Sequence, residues 1–320
     1  MAKPAYDPGL TRQFDGSLHR VINQDGSFNV RRLGVGWRAF HPWLHVINMS
    51  WTGFFTLVLG SYLGINTIFA AFYFLLPPDS VQGSAAPTEA ARFLNDFFFS
   101  GHTLTTVGYG SLTPRGDLAN IVALTEALAG LMAFAMITGT LVARASRPSA
   151  RIGYSSRALV APYQNGAGLM FRIANERSNS LMELEASVML MTVTRTGAAA
   201  ERKFDLLALE RSSVLLFPLS WTIVHPIDEK SPFHGKTAED LRILEAELII
   251  LIKGFDETFG QVVHSRYSYR FDEIVWGAKF LPAFRSGPEG NILLEVYKLG
   301  DFIPVPVGGP PTALPGSPAS

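Results

Sequence analysis

The chain has 320 residues, enough for two domains of ordinary size, and its 27 basic and 27 acidic residues give a formal net charge of zero. This balance gives no reason to expect nucleic acid as a partner. Hydrophobic residues make up 48% of the chain and charged residues only 17%, which is too apolar for an ordinary soluble surface and indicates contact with lipid. The absence of cysteine excludes disulfides, thiolate metal sites and cysteine nucleophiles.

Charged residues are scarce in three stretches of the chain. The runs 51–76 and 117–143 are each long enough, at about 1.5 Å per residue, to cross a hydrocarbon core of about 30 Å as a helix. Glycines and a proline break the run between them, 97–114, so we expect that run to enter the membrane and return to the same side. The alternative for any single run is a buried helix of a soluble enzyme. Two long runs that flank a short one disfavour this alternative.

Basic residues flank the two long runs. Six basic residues stand against three acidic ones in residues 1–38, and five arginines follow the second run before the next acidic residue, Glu176. Basic residues accumulate on the cytoplasmic side of membrane spans, so both termini are predicted to be cytoplasmic. The loop 77–92 then faces outside.

The short middle run contains the sequence TTVGYG at residues 105–110, which is the signature of potassium-channel selectivity filters. A potassium ion must shed its water, and the backbone carbonyls of residues 106–109, with the Thr106 hydroxyl, would replace that hydration shell. Gly108 and Gly110 would supply the left-handed backbone conformations that turn successive carbonyls toward one axis. The alternative is a glycine turn in a strand-rich protein. The predicted filter residues are Thr106, Val107, Gly108, Tyr109 and Gly110, with K+ bound at the first four.

A helix over about 93–105 is predicted to precede the filter. Its C-terminal end would point at the pore, where the negative end of its dipole favours a cation. Tyr109 is predicted to point away from the ion path and to wedge the filter against this helix. One chain supplies only one wall of such a filter, so four copies must assemble around the axis.

Three further segments resemble the prokaryotic inward-rectifier potassium channels, the KirBac family. Residues 143–148 (ARASRP) are similar to the family's A-R-F-x-R-P after the second span, and residues 219–232 (LSWTIVHPIDEKSP) to its L-S-W-x-x-x-H-P-I-D-x-x-S-P. Residues 272–277 (DEIVWG) also match. The resemblance implies a homotetrameric potassium channel of a bacterial inner membrane, gated at its cytoplasmic side. It implies no enzyme activity, no cofactor and no nucleic-acid partner.

The chain beyond Ile152 alternates short β-rich runs with turn residues, which predicts a β-sandwich. The resemblance sharpens this to an immunoglobulin-like cytoplasmic domain. One helix is predicted at Ala238–Ala246, where Thr237 and Asp240 can form a capping box. The predicted strands include Arg157–Tyr163, Gly168–Ile173, Leu184–Thr194, Leu206–Leu209, Ser220–Val224, Leu248–Ile252 and Ile292–Tyr297.

These observations predict a multi-domain membrane protein, a two-span pore unit joined to the sandwich. The predicted parts are a cytoplasmic N-terminus and interfacial slide helix at 1–45, a pore domain at 46–148, a β-sandwich at 149–304 and a flexible tail rich in Pro and Gly at 305–320. Within the pore domain we expect an outer helix at about 48–76, a pore helix at about 93–105, the filter at 106–110 and an inner helix at about 117–145.

On the inner helix, a stripe of residues from Glu126 to Val142 recurs every fourth position and could track the pore. Ordinary helix packing is the alternative. By alignment from the filter, the resemblance places Phe134 at the position that controls rectification and Val142 at the gate. Strong rectifiers carry an acid at the first position, so we expect weak polyamine block. The pore and gate prediction is Phe134, Thr138 and Val142, and the predicted hinges are Gly130 and Gly139.

Two titratable residues lie near the filter in the sequence. His102 stands where many relatives have Glu or Gln bracing the filter, and it could be either a packed neutral imidazole or a group that titrates near neutral pH. Glu126 is an intramembrane carboxylate, which is costly without a partner and therefore a functional candidate. The sequence leaves open whether Glu126 faces the pore or the back of the filter. Both are predicted to support the filter.

Arginines flank the predicted spans at the inner leaflet, where anionic lipid headgroups attract basic residues. The resemblance favours sensitivity to anionic lipids, with the sign of the effect left open, and a solvated orientation-setting role is the alternative. The predicted lipid-binding residues are Arg38, Arg144 and Arg147.

Two other functions compete with an inward rectifier. One is another two-span potassium channel whose cytoplasmic domain binds calcium or nucleotide, but the strand pattern after Ile152 lacks a glycine-rich phosphate loop. The other is a membrane-anchored β-sandwich enzyme. The seven histidines show no metal-ligand spacing and no nucleophile motif is present, which disfavours it.

Overall fold

The computed structural model describes residues 9–10, 13–14, 20–30, 33–34, 41–83, 85–146, 150–196 and 199–306. The chain divides into two compact units. Residues Arg32–Arg147 form what we call the helical unit, and Met1–Arg31 together with Pro148–Ser320 form what we call the sheet unit. Most of the predicted tail, from residue 307 onward, lies outside the described residues.

The described residues contain five α-helices, four in the helical unit and one in the sheet unit. They are α1 (Pro42–Asn48), α2 (Trp51–Leu75), α3 (Glu89–Leu104), α4 (Asp117–Ala145) and α5 (Ala238–Ile243).

The strands are short in the helical unit and longer in the sheet unit. In chain order they are β1 (Gln13–Phe14), β2 (Val81–Gln82), β3 (Thr113–Pro114), β4 (Ile152–Tyr154), β5 (Ala158–Tyr163), β6 (Gly166–Asn175), β7 (Leu181–Thr196), β8 (Ala199–Leu206), β9 (Ser213–Leu216), β10 (Ser220–Ile227), β11 (Glu247–Asp256), β12 (Gln261–Arg270), β13 (Ile274–Trp276), β14 (Ala278–Phe280), β15 (Phe284–Ser286), β16 (Ile292–Leu294) and β17 (Phe302–Pro304).

Helices α2 and α4 are the two described helices that are long and apolar enough to cross a membrane. The protein buries only 17% of the most apolar window of α2 and 11% of that of α4. A core helix of a soluble protein would be mostly buried, so these exposed apolar surfaces fit lipid or further protein chains. At about 1.5 Å per residue, both helices can span a hydrocarbon core of about 30 Å.

The junction between α1 and α2 is set by a cap. The Ser50 hydroxyl accepts a hydrogen bond from the Gly53 amide at 3.1 Å, which satisfies one of the free amides in the first turn of α2. For this reason α2 begins at Trp51, three residues after the predicted start. Pro42 occupies the first turn of α1, where its missing amide costs nothing.

Helix α3 begins four residues before the predicted start of the pore helix. The Thr88 hydroxyl accepts from the Ala91 amide at 3.1 Å, and Glu89 lies in the first turn, where a negative charge suits the helix dipole. The sequence prediction relied on the aromatic run and missed this cap. The α3 helix ends at Leu104, and its C-cap Thr105 precedes the TVGYG signature segment at residues 106–110.

The sheet unit is a β-sandwich. Strands β1, β8, β7, β11 and β12 form one sheet in that order, with β9 also paired to β7. Strands β10, β6, β5 and β13 form the other, with β4 paired to β6, and all their pairings are antiparallel except that of β5 with β13. The core between the sheets is closed by apolar side chains from both, such as Phe171 and Ile173 of one and Val188 and Ile250 of the other.

Two of the strand predictions differ from the structure. Only Leu206 of the predicted strand Leu206–Leu209 is in a strand, although Leu207 is buried in the core and its amide still bonds to the Val188 carbonyl at 2.9 Å. The predicted strand Ile292–Tyr297 ends at Leu294 and is followed by a short 3-10 turn. Strands β8 and β12 were not predicted, since polar residues occupy many of their positions.

Residues 20–30 pack onto the sheet unit. The buried carboxylate of Glu247 accepts the Val21 amide at 3.0 Å, and Arg20 forms an ion pair with Glu273 and donates to the Ser268 hydroxyl at 2.8 Å. Val21 and Ile22 are buried against the outer face of the larger sheet. The segment that precedes α1 in sequence is thus held by the domain that follows α4.

The HPID residues of the 219–232 block, at 225–228, close strand β10, and His225 is the buried residue among them. His225 Nδ1 lies 2.6 Å from the Ala208 carbonyl, and Nε2 lies 2.8 Å from the Ser231 hydroxyl. A carbonyl accepts only, so Nδ1 carries the hydrogen of a neutral imidazole and Nε2 accepts from Ser231. The Ser231 hydroxyl also accepts the Phe233 amide at 3.1 Å. The block is therefore a structural element of the sandwich.

Burial lowers the pKa of His225 from its ordinary value of 6.5. A base whose pKa is lower in the folded state stabilises the fold above its unfolded pKa, and that stability is lost as pH falls below about 6.5 toward the depressed value. We expect the midpoint of urea unfolding, followed by fluorescence of Trp221 and Trp276, to fall between about pH 7 and pH 5.5, and His225→Asn to flatten this dependence. Replacing the exposed His264 with Asn is the control. An equal decrease of the urea midpoint on acidification in the wild type and in His225→Asn would contradict the role of His225.

Candidate ion-binding site

The TVGYG signature segment follows α3 and folds back onto its last turn. The Val107 and Gly108 amides both donate to the His102 carbonyl, at 3.0 and 3.3 Å, and the Thr106 amide donates to the Thr103 carbonyl at 3.0 Å. The free carbonyls at the end of α3 are thereby satisfied by the amides of the segment. The amides point toward the helix, which leaves the carbonyls of the same residues to point elsewhere.

Within the described part of the chain, no hydrogen bond reaches the carbonyls of residues 106–109. The backbone has positive φ at Thr106 (58°), Gly108 (55°) and Gly110 (78°). Glycine adopts this conformation without steric cost, whereas Thr106 is strained by roughly 1–2 kcal/mol. The two glycines adopt the left-handed conformation that the sequence predicted, and the strained Thr106 was not foreseen.

The ring of Tyr109 contacts the ring of His102. Their centroids lie 5.0 Å apart and their planes are perpendicular, the edge-to-face geometry that aromatic pairs prefer. His102 therefore contacts the signature segment twice, through its ring and through its carbonyl. These two contacts place His102 directly behind the signature segment, and its predicted role in supporting the filter stays a prediction.

Helix α4 comes closest to α3 at Gly130. A Cβ atom at this position would lie 2.1 Å from the Leu104 carbonyl oxygen, so no other residue fits without moving the backbone. At Gly139 a Cβ would meet nothing within 4 Å. Helix α4 is continuous through both glycines. Gly130 thus lies at a close contact between α3 and α4, and the hinges predicted at Gly130 and Gly139 stay predictions.

The carboxyl group of Glu126 is fully buried among α2, α3 and α4. It receives a hydrogen bond from the Tyr73 hydroxyl at 2.7 Å and contacts the Ser100 hydroxyl, which lies 3.0 Å from the Asn66 side-chain oxygen. Glu126 therefore faces the back of the pore helix. Sequence reasoning missed Asn66, Tyr73 and Ser100, and the signal available was the occurrence of hydrogen-bonding side chains within apolar runs.

The stripe from Glu126 to Val142 divides into two parts. Glu126 and Gly130 are buried against α3, whereas Phe134, Thr138 and Val142 are exposed in the single chain. Four residues turn an α-helix by about 400°, so each step of four drifts by about 40°. This drift carries the stripe from the interior of the helical unit to its surface.

The guanidinium of Arg144 is turned toward the end of α1. It donates to the carbonyls of Ile47 at 3.0 Å and Met49 at 2.8 Å, and lies 4.8 Å from the ring centroids of both Trp51 and Phe54. These carbonyls lie at the C-terminal end of α1, where a helix leaves its last carbonyls without amide partners from the same helix. Arg144, predicted to bind lipid, therefore joins the end of the inner helix to the α1–α2 junction. Arg38 and Arg147 lie outside the described residues.

Comparisons with known proteins match both units. Residues 152–309 match the family model described as "Inward rectifier potassium channel C-terminal domain", and residues 44–147 match the one described as "Ion channel". The chain is 38% identical over 288 residues to "Inward rectifier potassium channel Kirbac3.1" of Paramagnetospirillum magnetotacticum, which covers 88% of this chain and 95% of the relative.

Two human proteins are more distant relatives. The chain is 27% identical over 303 residues to "ATP-sensitive inward rectifier potassium channel 15", covering 86% of this chain and 80% of the relative. It is 25% identical over 325 residues to "ATP-sensitive inward rectifier potassium channel 10", covering 92% of this chain and 82% of the relative. The similarity thus extends over both units of the chain.

Replacing Gly130 with Ala should disrupt the contact between α3 and α4. The added Cβ would overlap the Leu104 carbonyl, and we expect a loss of about 1–3 kcal/mol per chain, visible as a lower melting temperature of the purified protein. Gly64→Ala is the matched control, because Gly64 is an exposed glycine of α2 with nothing within 4 Å of its Cβ position. Equal melting temperatures for the two variants would contradict the close-contact role of Gly130.

Arg144→Lys separates a structural role from a simple charge. Lysine keeps the positive charge but lacks the planar fork that reaches two carbonyls and stacks on rings. We expect Arg144→Lys to lower the melting temperature nearly as much as Arg144→Gln, with a loss of about 1.5–3 kcal/mol per chain. Binding to anionic vesicles should stay close to that of the wild type for Arg144→Lys.

The exposed Arg151 supplies the control, since Arg151→Lys should change neither the melting temperature nor the binding to anionic vesicles. A wild-type melting temperature for Arg144→Lys would show that the charge alone matters and would contradict the contact with α1.

Proposed function

The chain belongs to the inward-rectifier potassium channel family, and from this premise we propose that four copies surround one pore whose selectivity filter is residues 106–110. The protein is a membrane potassium channel of the inward-rectifier type, and its family is one of ion channels rather than enzymes. The proposal adds the residues that bind the ion, the assembly and the orientation in the membrane.

One observation carries the assignment of the filter. The carbonyls of Thr106, Val107, Gly108 and Tyr109 accept no hydrogen bond within the described chain, although they follow a helix that lies between two membrane spans. Backbone carbonyls at membrane depth need a partner, and irregular backbone is tolerated there only where it lines a cavity or is buried in protein. Rings of carbonyl oxygens that replace the hydration shell of K+ supply such a partner.

Several features support a tetramer. The signature segment is exposed along its length in the single chain, with Val107 and Tyr109 51% and 75% accessible. A mostly apolar cavity of about 570 Å³ opens beside it between α2, the end of α3 and α4, and the exposed Leu131 and Phe134 line it. Neighbouring copies would cover this surface and complete the ring of carbonyls.

The packing of residues 20–30 onto the sheet unit supports the topology. Two spans return the chain to the side from which it started, and the N-terminal segment can then reach the domain that follows α4. The arginine-rich flanks favour the cytoplasm as that side. We therefore place both termini in the cytoplasm and the channel in the inner membrane of a bacterium.

The exposed part of the inner helix is the proposed pore lining. Phe134, Thr138 and Val142 lie on the surface of the single chain and are free to face the axis of a tetramer. Gly139 has free space around it and is the better candidate for a hinge, whereas the contact of Gly130 with α3 makes that glycine a fixed point. Movement of α4 below Gly130 would then open or close the cytoplasmic end without disturbing the filter.

The residues proposed to contact lipid directly are fewer than the sequence predicted. Anionic lipids at the inner leaflet would be attracted by the basic residues that flank the spans. Arg38 and Arg147 stay candidates for direct headgroup contact. The engagement of Arg144 with α1 supports an indirect role, in which lipids act on the junction that this residue stabilises.

Uptake of radioactive rubidium by liposomes containing the purified protein tests the function. We expect uptake that barium blocks and that external K+, but not Na+, suppresses. Gly108→Ala should reduce uptake more than tenfold, because alanine at positive φ costs roughly 1–2 kcal/mol in each of four chains. Gly64→Ala is again the control and should conduct like the wild type. Uptake that Na+ suppresses equally, or that survives Gly108→Ala, would contradict the proposed filter.

A further inference from the structure

The hydroxyl of Ser100 is surrounded by acceptor oxygens. It contacts Glu126 Oε1, lies 3.0 Å from Asn66 Oδ1 and 3.3 Å from the Asn66 carbonyl oxygen. The other oxygen of Glu126 receives the Tyr73 hydroxyl at 2.7 Å, and Asn66 Nδ2 donates to the Tyr62 carbonyl at 2.8 Å. These contacts form a hydrogen-bond chain that connects α2 to α4 through the pore helix α3.

The number of hydrogens available shows which protonation state of Glu126 this hydrogen-bond chain requires. A serine hydroxyl has one hydrogen, and an ionised carboxylate is an acceptor only. With Glu126 ionised, Ser100 can serve either Glu126 or Asn66, and the remaining contact is two oxygens facing each other with no hydrogen between them. With a proton on Glu126 Oε1, that oxygen donates to Ser100, and Ser100 donates to Asn66 Oδ1. The contacts of Ser100 with Glu126 Oε1 and with Asn66 Oδ1 then hold one hydrogen each, and the Asn66 carbonyl, at 3.3 Å, can only share the Ser100 hydrogen.

Flipping the Asn66 amide does not remove this requirement. The flip would turn Nδ2 toward Ser100 and Oδ1 toward the Tyr62 carbonyl, which lies 2.8 Å from the atom now assigned as Nδ2. A carbonyl cannot donate, so the unfavourable pair of oxygens would only move to the other end of the chain. The donor assignment with Nδ2 toward Tyr62 is therefore fixed by the geometry.

The charges around Glu126 agree with a neutral group. Helix α2 contains no charged residue, and Glu126 is the only one in α4 between Asp117 and Arg144. On α3 the nearest titratable groups are Asp96 and His102, and in the described part of the chain no lysine or arginine pairs with Glu126. An ionised carboxylate buried without a cation is strongly disfavoured in a low-dielectric interior.

We propose that Glu126 is held as a neutral carboxylic acid and is the first donor of a hydrogen-bond chain, Glu126 to Ser100 to Asn66 to the Tyr62 carbonyl, that fixes the pore helix between the two spans. Glu126 is a positioning residue, because it reaches the signature segment only through Ser100 and α3. The effect on ion selection rests on the proposed filter, whereas the protonation state does not.

Substitution tests the donor role. Glutamine has the shape of a neutral glutamic acid, and its amide can accept from Tyr73 and donate to Ser100. We expect Glu126→Gln to keep the wild-type melting temperature of the tetramer. Its preference for K+ over Na+ should stay within about twofold of that of the wild type. Glu126→Leu and Ser100→Ala should lower both the melting temperature and the preference. A Glu126→Gln variant as impaired as Glu126→Leu would overturn the proposal, because it would mean that an ionised carboxylate is needed.

Infrared difference spectroscopy reads the proton directly and does not depend on conduction. Wild-type protein minus Glu126→Gln should show the carbonyl stretch of a protonated carboxyl group that persists at about pH 8, where an exposed glutamate is fully ionised. Asp96→Asn is the control, since Asp96 is also buried, and should leave this band in place. Absence of the band from the Glu126 difference spectrum would overturn the proposal even if rubidium uptake is normal. If the band is present but rubidium uptake is not selective, the proposal of a neutral Glu126 stands and the proposed filter is contradicted.

Discussion

The fold depends on the backbone carbonyls of residues 106–109, which follow a helix between two membrane spans and accept no hydrogen bond from the residues that the structure describes. In a hydrocarbon environment such groups are costly unless something replaces the missing donors. Helix α3 meets half of this requirement, because the His102 carbonyl accepts the amides of both Val107 and Gly108 and so fixes which way these peptide groups face. In the proposed filter, a dehydrated cation among the opposite carbonyls would meet the other half. The free carbonyls and the ion would then stabilise each other.

Rigid support for the pore helix follows from the same constraint. The α3 helix is held at its end by the contact between the Leu104 carbonyl and Gly130, and along its side by the hydrogen bonds around Glu126. The Tyr109 ring packs on His102 behind the signature segment. Toward the end of α4, Phe134, Thr138 and Val142 are exposed in the single chain, whereas Arg144 bonds to the carbonyls at the end of α1.

The sequence was sufficient where chemistry restricts the choice of residue. Only a short list of residue types lets carbonyls converge on an ion, so TVGYG identified the filter candidates, and the missing charges identified both spans. The block around His225 was recognised by resemblance, but the structural role of His225 became visible only with its partners Ala208 and Ser231. Strand β12, which begins at Gln261, was missed because its polar positions resemble a loop.

The remaining differences come from distances that a sequence does not contain. In the sequence, glycine at 130 is equally consistent with a hinge or a close contact, and only the approach of Leu104 shows the close contact. An arginine at 144 attracts lipid in the absence of a nearer partner, and the carbonyls at the end of α1 are that partner. The positive φ of Thr106 has no signal in the sequence at all, since threonine disfavours it.

The most direct test of this account is an experimental structure of the assembled channel with thallium, a heavy ion that substitutes for K+ and scatters anomalously. The account predicts anomalous peaks on a fourfold axis, level with the carbonyl oxygens of Thr106, Val107, Gly108 and Tyr109 of four chains. Peaks confined to side-chain carboxylates away from the axis, or an assembly in which these carbonyls do not converge, would contradict it.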